Sequence, residues 1–93
     1  MIKTFADRET QRFWETGKSR HISAQIRKAV ERKLQILDSA TLLEELRSPP
    51  GNRLEQLKGN RAGQHSIRIN DQYRICFVWN RGDAFELEVT DYH

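Results

Sequence analysis

The chain has 93 residues, a formal net charge of +3, and 31% charged against 37% hydrophobic side chains. A chain of this length builds one small core, so we expect a single domain spanning residues 1–93. The sequence contains no apolar run near the roughly 20 residues of a membrane span and no signal-peptide pattern. The single cysteine, Cys76, excludes an internal disulfide and a zinc cluster. These features favour a cytoplasmic protein that has no membrane partner.

The charge is unevenly distributed along the chain. Residues 53–81 carry six basic and two acidic side chains, whereas residues 82–93 carry four acidic side chains and no lysine or arginine. A basic central segment suits a polyanion such as nucleic acid. The acidic end does not, unless its carboxylates take part in chemistry or neutralise arginines.

The first part of the chain predicts a strand followed by helices. Residues 1–5 are compatible with a short edge strand. Asp7 is a good N-cap for a helix that stops at Gly17. A second helix is predicted from Ser23, as its cap, to about Asp38, because apolar residues recur there every three or four positions.

A third, short helix is predicted after these two. Thr41 and Glu44 fit a capping box, and the helix would run to about Leu46. The following Ser-Pro-Pro-Gly-Asn run at 48–52 ends all helix, because proline lacks the amide donor and fixes φ.

The second half of the chain reads as strands at hairpin spacing. These are residues 53–58, 64–70, 73–79 and 84–90. In the last strand, Phe85, Leu87 and Val89 alternate with Glu86 and Glu88, which puts the three apolar residues on one face. Local hairpins make an antiparallel sheet. The sequence therefore predicts an α+β fold in which an N-terminal strand joins the sheet and two to three helices pack on one of its faces.

Two arginines share the face of the predicted hairpin that is turned away from the core. Alternation places Arg68 and Arg74 opposite the apolar set, close enough to act together. The planar guanidinium binds phosphate oxygens in pairs, and Lys58, just before the hairpin, adds a third positive charge. The alternative is that these arginines pair with Glu86 or Glu88 on the neighbouring strand.

The chain ends Asp91-Tyr92-His93 directly after a predicted strand. Aspartate accepts a proton, histidine exchanges one near neutral pH, and tyrosine stacks on a base or donates a hydrogen bond. RNA cleavage by 2′-OH attack needs such a base and acid, with positive charge on the phosphate. It requires no metal, so we expect no cofactor and no metal site. The alternative is an inert, frayed terminus.

Three segments of the sequence resemble the HigB branch of the RelE toxin superfamily. They are Arg-Ser-Pro-Pro-Gly-Asn-Arg-Leu at 47–54, the stretch from Leu-Lys-Gly to Arg-Ile-Cys-Phe at 57–77, and the Asp-Tyr-His ending. The resemblance implies a RelE-like, microbial-RNase-like fold and a toxin of a type II toxin–antitoxin system. It also implies a ribosome-dependent endoribonuclease, or mRNA interferase, that cuts mRNA in the decoding site and so inhibits translation. The implied partner is a helix-turn-helix, HigA-like antitoxin, through which alone the toxin reaches operator DNA and co-represses its operon.

The resemblance also assigns roles to individual residues. Arg74 resembles the phosphate-binding arginine of the superfamily, and Lys58 matches the basic residue of its Leu-Arg/Lys-Gly motif. The implied catalytic set is Arg74, Lys58, Asp91, Tyr92 and His93. The implied RNA-binding set is Arg68, Gln72, Arg61 and Arg53.

One departure concerns histidines. Some HigB proteins have a histidine three residues before the Leu-Lys-Gly lysine, where this chain has Glu55. His65 lies on the face of Ile67 by alternation, which favours a structural role. Whether His65 or Glu55 takes part in the site is left open by the sequence.

Two other functions are compatible with the same residues. A ParE-like toxin shares the superfamily fold but inhibits DNA gyrase, and the Asp-Tyr-His ending together with Arg74 argues against it. A non-catalytic RNA-binding module would use the basic face without cleaving, and its affinity would follow the salt concentration.

Overall fold

The computed structural model describes residues 1–91 and confirms the α+β fold. Tyr92 and His93 lie outside the described residues. The helices are α1 (Arg8–Thr16) and α2 (Arg27–Ser39), and the strands are β1 (Glu55–Gln56), β2 (His65–Arg68), β3 (Tyr73–Asn80) and β4 (Asp83–Asp91). Short 3₁₀ turns cover Leu43–Arg47, Pro50–Asn52 and Gly59–Arg61. In this part of the chain no helix is long and apolar enough to cross a membrane.

The caps of α1 are those predicted, whereas α2 begins later than predicted. The Asp7 carboxylate accepts from the Thr10 amide over 3.3 Å, and Gly17 closes α1 with a φ of 78°. Ser23 does not cap α2. Its carbonyl accepts from the Ile26 amide in a preceding turn, and Ile26 itself is the N-cap of α2. The chain makes this turn because Ile22 is buried and anchors the connector to the core.

The predicted third helix is a 3₁₀ turn, and a different glutamate caps it. The Glu45 carboxylate accepts from the Thr41 amide at 2.8 Å and from the Leu42 amide at 2.7 Å. Glu44 instead pairs with Arg47 at 2.9 Å. The tighter 3₁₀ winding brings the residue three positions after Leu42 to the cap.

The sheet is antiparallel, in the order β1-β2-β3-β4. The predicted strand 53–58 is only two residues long. The N-terminal segment runs parallel to the outer edge of β4 and pairs through isolated bridges, Ile2 with Ala84 and Phe5 with Leu87, instead of forming a continuous strand.

A bulge in β4 changes which face its apolar residues take. The register shifts between Cys76 and Val78 of the partner strand, and Glu86 adopts a φ of 56°. Ala84 and Leu87 are therefore both buried in the core, whereas Phe85 lies opposite Val78 and outside the buried core. The expectation that Phe85 shares a face with Leu87 is wrong, because the extra residue breaks the alternation.

The core lies between α2 and one face of the sheet. The stripe Val30, Leu34 and Leu37 is fully buried, as are Ile67, Ile75, Phe77 and Leu87 of the sheet. Since neighbouring residues in a strand point to opposite faces, Arg68 and Arg74 lie on the face away from the helices. We call this second surface the open face.

Candidate active site

Strand pairing arranges the open face in two adjacent rows. One row is Arg68, Arg74 and Thr90, which are direct cross-strand partners, and the other is Glu55, Ser66, Cys76 and Glu88. Ser66 and Cys76 are buried and form the floor of this surface. Cys76 is a free cysteine. Charged side chains thus surround the two buried side chains, Ser66 and Cys76.

Arg74 is held on two sides by neutral acceptors. Its Nε donates to the Ser66 hydroxyl over 2.7 Å, and its Nη2 donates to the Arg53 carbonyl over 2.9 Å. The Arg74 side chain is only 13% exposed. The two neutral acceptors orient the guanidinium, the Glu55 carboxylate lies 3.6 Å from its Nη2, and partial burial limits the screening of the charges by water. The arrangement suits the binding of an anion at a defined orientation.

Arg68 lies opposite Arg74 but turns the other way. Its guanidinium donates to the Asn70 carbonyl over 3.1 Å and forms an ion pair with Asp71. These contacts hold Arg68 at the turn between β2 and β3, whereas Arg74 leans towards β1. The two arginines therefore flank the surface instead of forming one clamp.

Within residues 1–91, the two glutamates that the sequence offered as partners of these arginines bind other residues. Glu88 pairs with Arg61 at 3.1 Å, and the Glu86 carboxylate accepts from the Thr4 hydroxyl at 3.3 Å. Because of the bulge, the Glu86 side chain points towards the N-terminal segment at the edge of the sheet, where it binds Thr4.

Glu55 is the acidic neighbour of Arg74. Its carboxylate lies 3.6 Å from Arg74 Nη2, and its side chain is 55% exposed. The sequence marked this position only as a departure from a histidine pattern. The cross-strand pairing of Glu55 with Ser66 is the signal that places it in the site. A half-exposed carboxylate beside a guanidinium can accept a proton or steady the arginine.

The three other predicted basic residues, Lys58, Arg61 and Arg53, differ in the contacts that they make. Lys58 is exposed at the start of the Gly59–Arg61 turn, and its ammonium makes no hydrogen bond or ion pair within residues 1–91. Arg61 is engaged by Glu88 and by the Gln64 side chain. Arg53 is exposed and contributes its backbone carbonyl to Arg74.

Gln72 and Asp91 meet at the end of the sheet. The Gln72 amide donates to the Asp91 carboxylate over 2.9 Å, and Asp91 lies opposite Tyr73 in the ladder. Thr90, the cross-strand partner of Arg74, is the residue directly before Asp91. The backbone of Asp91 is therefore next to the row of Arg68, Arg74 and Thr90. Its side chain lies where β3 begins and β4 ends. Tyr92 and His93 of the predicted cluster lie outside the described residues.

His65 lies on the helix side of the sheet, away from Arg74. Its ring stacks on Phe77 with a centroid distance of 6.0 Å, and its buried Nδ1 has no hydrogen-bond partner among residues 1–91. This placement agrees with a structural role for His65.

Comparisons with known proteins agree with the fold and with the sequence resemblance. A profile described as a RelE-like toxin of type II toxin–antitoxin systems, HigB, matches residues 3–93. The chain is 47% identical over 85 residues to Toxin HigB-1 of Vibrio cholerae, covering 90% of both chains. It is 36% identical to Endoribonuclease HigB of Proteus vulgaris over 93 residues, all of both chains.

Among solved structures, the YoeB–YefM complex from Staphylococcus aureus contains a chain of the same fold. The TM-score is 0.62 at 19% identity, covering all of this chain and 95% of that one. The profile match and the two relatives define a RelE-like toxin of the toxin–antitoxin class, and the fold agrees with it. Within that class, the chain belongs to the HigB family.

Proposed function

We propose that this chain is a ribosome-dependent mRNA endonuclease that uses the open face to bind the scissile phosphate. As a HigB family member that aligns over its full length with a relative named an endoribonuclease, the chain is an endoribonuclease toxin. The observation that carries the proposed role of the open face is the fixed guanidinium of Arg74, bound by Ser66 and by the Arg53 carbonyl.

The proposed reaction is attack of the RNA 2′-OH on the adjacent phosphorus. The bond from O2′ to phosphorus forms, the bond from phosphorus to O5′ breaks, and the products are a 2′,3′-cyclic phosphate and a 5′-hydroxyl. Asp91 or His93 accepts the 2′-OH proton, or His93 protonates the leaving oxygen, and in either case water exchanges the other proton. Arg74, with Lys58, stabilises the charge that builds on the phosphate oxygens, and Arg68 contacts the RNA from the other side of the open face.

Recognition of the RNA falls to the residues around this site. Tyr92 stacks on or orients a base, and Gln72, Arg61 and Arg53 contact the RNA strand. Arg74 has its Nε and Nη2 already bound to protein acceptors, so the RNA has to present its phosphate in one orientation. The ribosome would supply that orientation by holding the mRNA, and the toxin would accordingly act in the cytoplasm.

The antitoxin is proposed to be a helix-turn-helix protein of the HigA type. Membership of a toxin–antitoxin family supports an antitoxin partner. Operator DNA would be reached only through this antitoxin, in a complex that represses the shared operon.

The test compares Arg74→Ala with a matched control, Arg8→Ala. Arg8 is an exposed arginine on α1, in the layer opposite the open face. Purified ribosomes carrying a defined mRNA are incubated with each protein, and the cuts are mapped by primer extension. We expect codon-phased cuts with the unaltered chain and with the Arg8 variant, and a loss of at least about 100-fold with Arg74→Ala.

Three results would contradict the proposal. Full cleavage by a folded Arg74→Ala variant would remove Arg74 from the site. Gyrase-linked DNA breaks without RNA cuts would identify a ParE-like activity, and RNA binding without any cleavage would identify a binding module.

A further inference from the structure

A buried lysine connects α2 to the loop beside the active site. Lys33 is 9% exposed, and its ammonium donates to the side-chain carbonyl of Asn52, which is fully buried. Burial lowers the pKa of Lys33, and nearby Arg32 adds to this effect. Within residues 1–91, Lys33 has no carboxylate partner. A buried ammonium bound only by neutral groups is costly, and an apolar side chain would fill the space at lower cost.

Asn52 connects Lys33 to the loop at residues 46–49. Its Nδ2 donates to the Leu46 and Ser48 carbonyls, each over 3.1 Å. Its backbone amide donates to the Pro49 carbonyl over 2.9 Å. One amide side chain therefore joins the end of the Leu43–Arg47 turn, the proline loop and α2.

The residue after Asn52 holds the guanidinium of the active site. Arg53 adopts a left-handed backbone with a φ of 46° and a ψ of 56°, and its carbonyl accepts from Arg74 Nη2 over 2.9 Å. A non-glycine residue holds this conformation at a cost, so its surroundings must enforce it. The buried Asn52 amide, one residue earlier, is the nearest fixed point in the chain.

We propose that Lys33 and Asn52 are positioning residues for Arg74, acting through the Arg53 carbonyl. The chain of contacts runs from α2, through a buried amide, to the backbone acceptor that orients one arm of the guanidinium. The catalytic consequence rests on the proposed function above, whereas the effect on the conformation of Arg74 does not. A purely structural role for Lys33 predicts that its replacement changes stability and leaves Arg74 where it is.

The test uses variants that break the connection at different links. Lys33→Met keeps a long, unbranched side chain and removes the donor, and Lys33→Gln, of the same length as methionine, restores a neutral donor. Asn52→Asp keeps an acceptor for Lys33 and removes both donors to the loop carbonyls. Lys28→Met is the matched control, since Lys28 is an exposed lysine on the same helix.

Two readouts are compared, and one does not need activity. The Nε–Hε resonance of Arg74 is followed by ¹H–¹⁵N NMR and assigned by its loss in Arg74→Lys. We expect Lys33→Met and Asn52→Asp to shift this resonance and speed its solvent exchange. In cleavage of ribosome-bound mRNA, kcat falls roughly 10- to 100-fold, with KM changed by less than about 3-fold. Lys33→Gln recovers part of both, and Lys28→Met changes neither.

The two proposals fail in different ways. If the unaltered chain does not cut mRNA, the proposed function fails, while the Arg74 resonance still tests the positioning. If Lys33→Met does not fold, Lys33→Gln and Asn52→Asp carry the test. An unchanged Arg74 resonance in a folded variant overturns the inference. This holds also if that variant has a lower kcat and a lower thermal stability, because the loss is then a general effect of destabilisation.

Discussion

The Arg74 side chain donates from Nε to the Ser66 hydroxyl over 2.7 Å, and Ser66 is fully buried. The two residues lie on neighbouring strands, one row apart in the ladder. A guanidinium that is bound from below by a buried hydroxyl keeps its outer edge in a constant direction. The proposed catalytic role of Arg74 depends on this contact and on the one with the Arg53 carbonyl.

Replacing Ser66 with alanine should therefore weaken catalysis without removing a charge. Ser66→Ala takes away the acceptor of Arg74 Nε and leaves the strands intact. We expect kcat to fall by about 10-fold and the free energy of unfolding to fall by about 1–3 kcal/mol, because a partly buried donor loses its partner. Single-turnover cleavage and urea unfolding measure the two effects. Unchanged kcat in the folded variant would show that this contact does not orient the arginine.

Gln72→Ala should disturb the acidic end of the site. Gln72 donates to the Asp91 carboxylate over 2.9 Å, and both residues are exposed. Loss of this contact releases Asp91 from one of its partners but costs little packing. We expect cleavage to slow by about 3- to 10-fold while the unfolding free energy changes by no more than about 0.5 kcal/mol. Gln35→Ala, an exposed glutamine on α2, is the matched control and should leave both quantities unchanged.

A chain that ends at Asp91 should fold and fail to cleave. The described core is formed by residues before this point, and its fully buried side chains come from α2, the strands and the turn at 43–47. Removal of Tyr92 and His93 takes away two of the three residues of the proposed terminal cluster. We expect a loss of at least about 100-fold in cleavage, since a general acid–base contributes about 10²- to 10⁴-fold. Normal growth arrest by the shortened chain would remove the terminal pair from the mechanism.

The stability of the chain should decrease in acid partly through Glu45. Hydrogen bonds from the Thr41 and Leu42 amides and from the Thr41 hydroxyl hold the pKa of Glu45 below its usual value of 4.5. A carboxyl group whose pKa is lower in the folded chain stabilises the fold above its unfolded pKa. This contribution disappears as the pH falls through the folded pKa.

Glu45→Gln should consequently lower the midpoint of thermal unfolding at neutral pH and flatten its fall below about pH 4.5. Thermal unfolding followed by circular dichroism between neutral pH and about pH 3 measures this slope. Glu44→Gln is the matched control, because Glu44 lies one residue earlier and caps nothing. Equal slopes for Glu45→Gln and the unaltered chain would contradict the assignment.

The sequence predicted the faces of the central hairpin because residue alternation alone decides them. Arg68 and Arg74 lie on the predicted face, and the apolar residues Ile67 and Ile75 lie in the core. Alternation could not predict the partners of the arginines. Glu55 reaches Arg74 only because the turn at 59–61 sets the register of a two-residue strand, and no local pattern encodes that register.

Phe85 shows a second limit of pattern reading. The bulge at Glu86 inserts one residue into β4. On one side of the bulge, each residue therefore lies on the sheet face opposite to the one that strict alternation predicts. The predicted cap of α2 was wrong because tertiary packing overrode a local pattern. Ser23 has the right side chain for a cap, but the burial of Ile22 fixes a turn at this point in the chain.

The N-terminal segment closes one border of the sheet against further growth. The outer amides of Ala84 and Leu87 donate to the Met1 and Thr4 carbonyls, over 3.0 and 3.2 Å. A visiting peptide strand finds no vacant donors at these positions of β4. An extended segment from another molecule would thus add at the short border formed by β1, directly beside Glu55 and Arg74, where it would cover the open face.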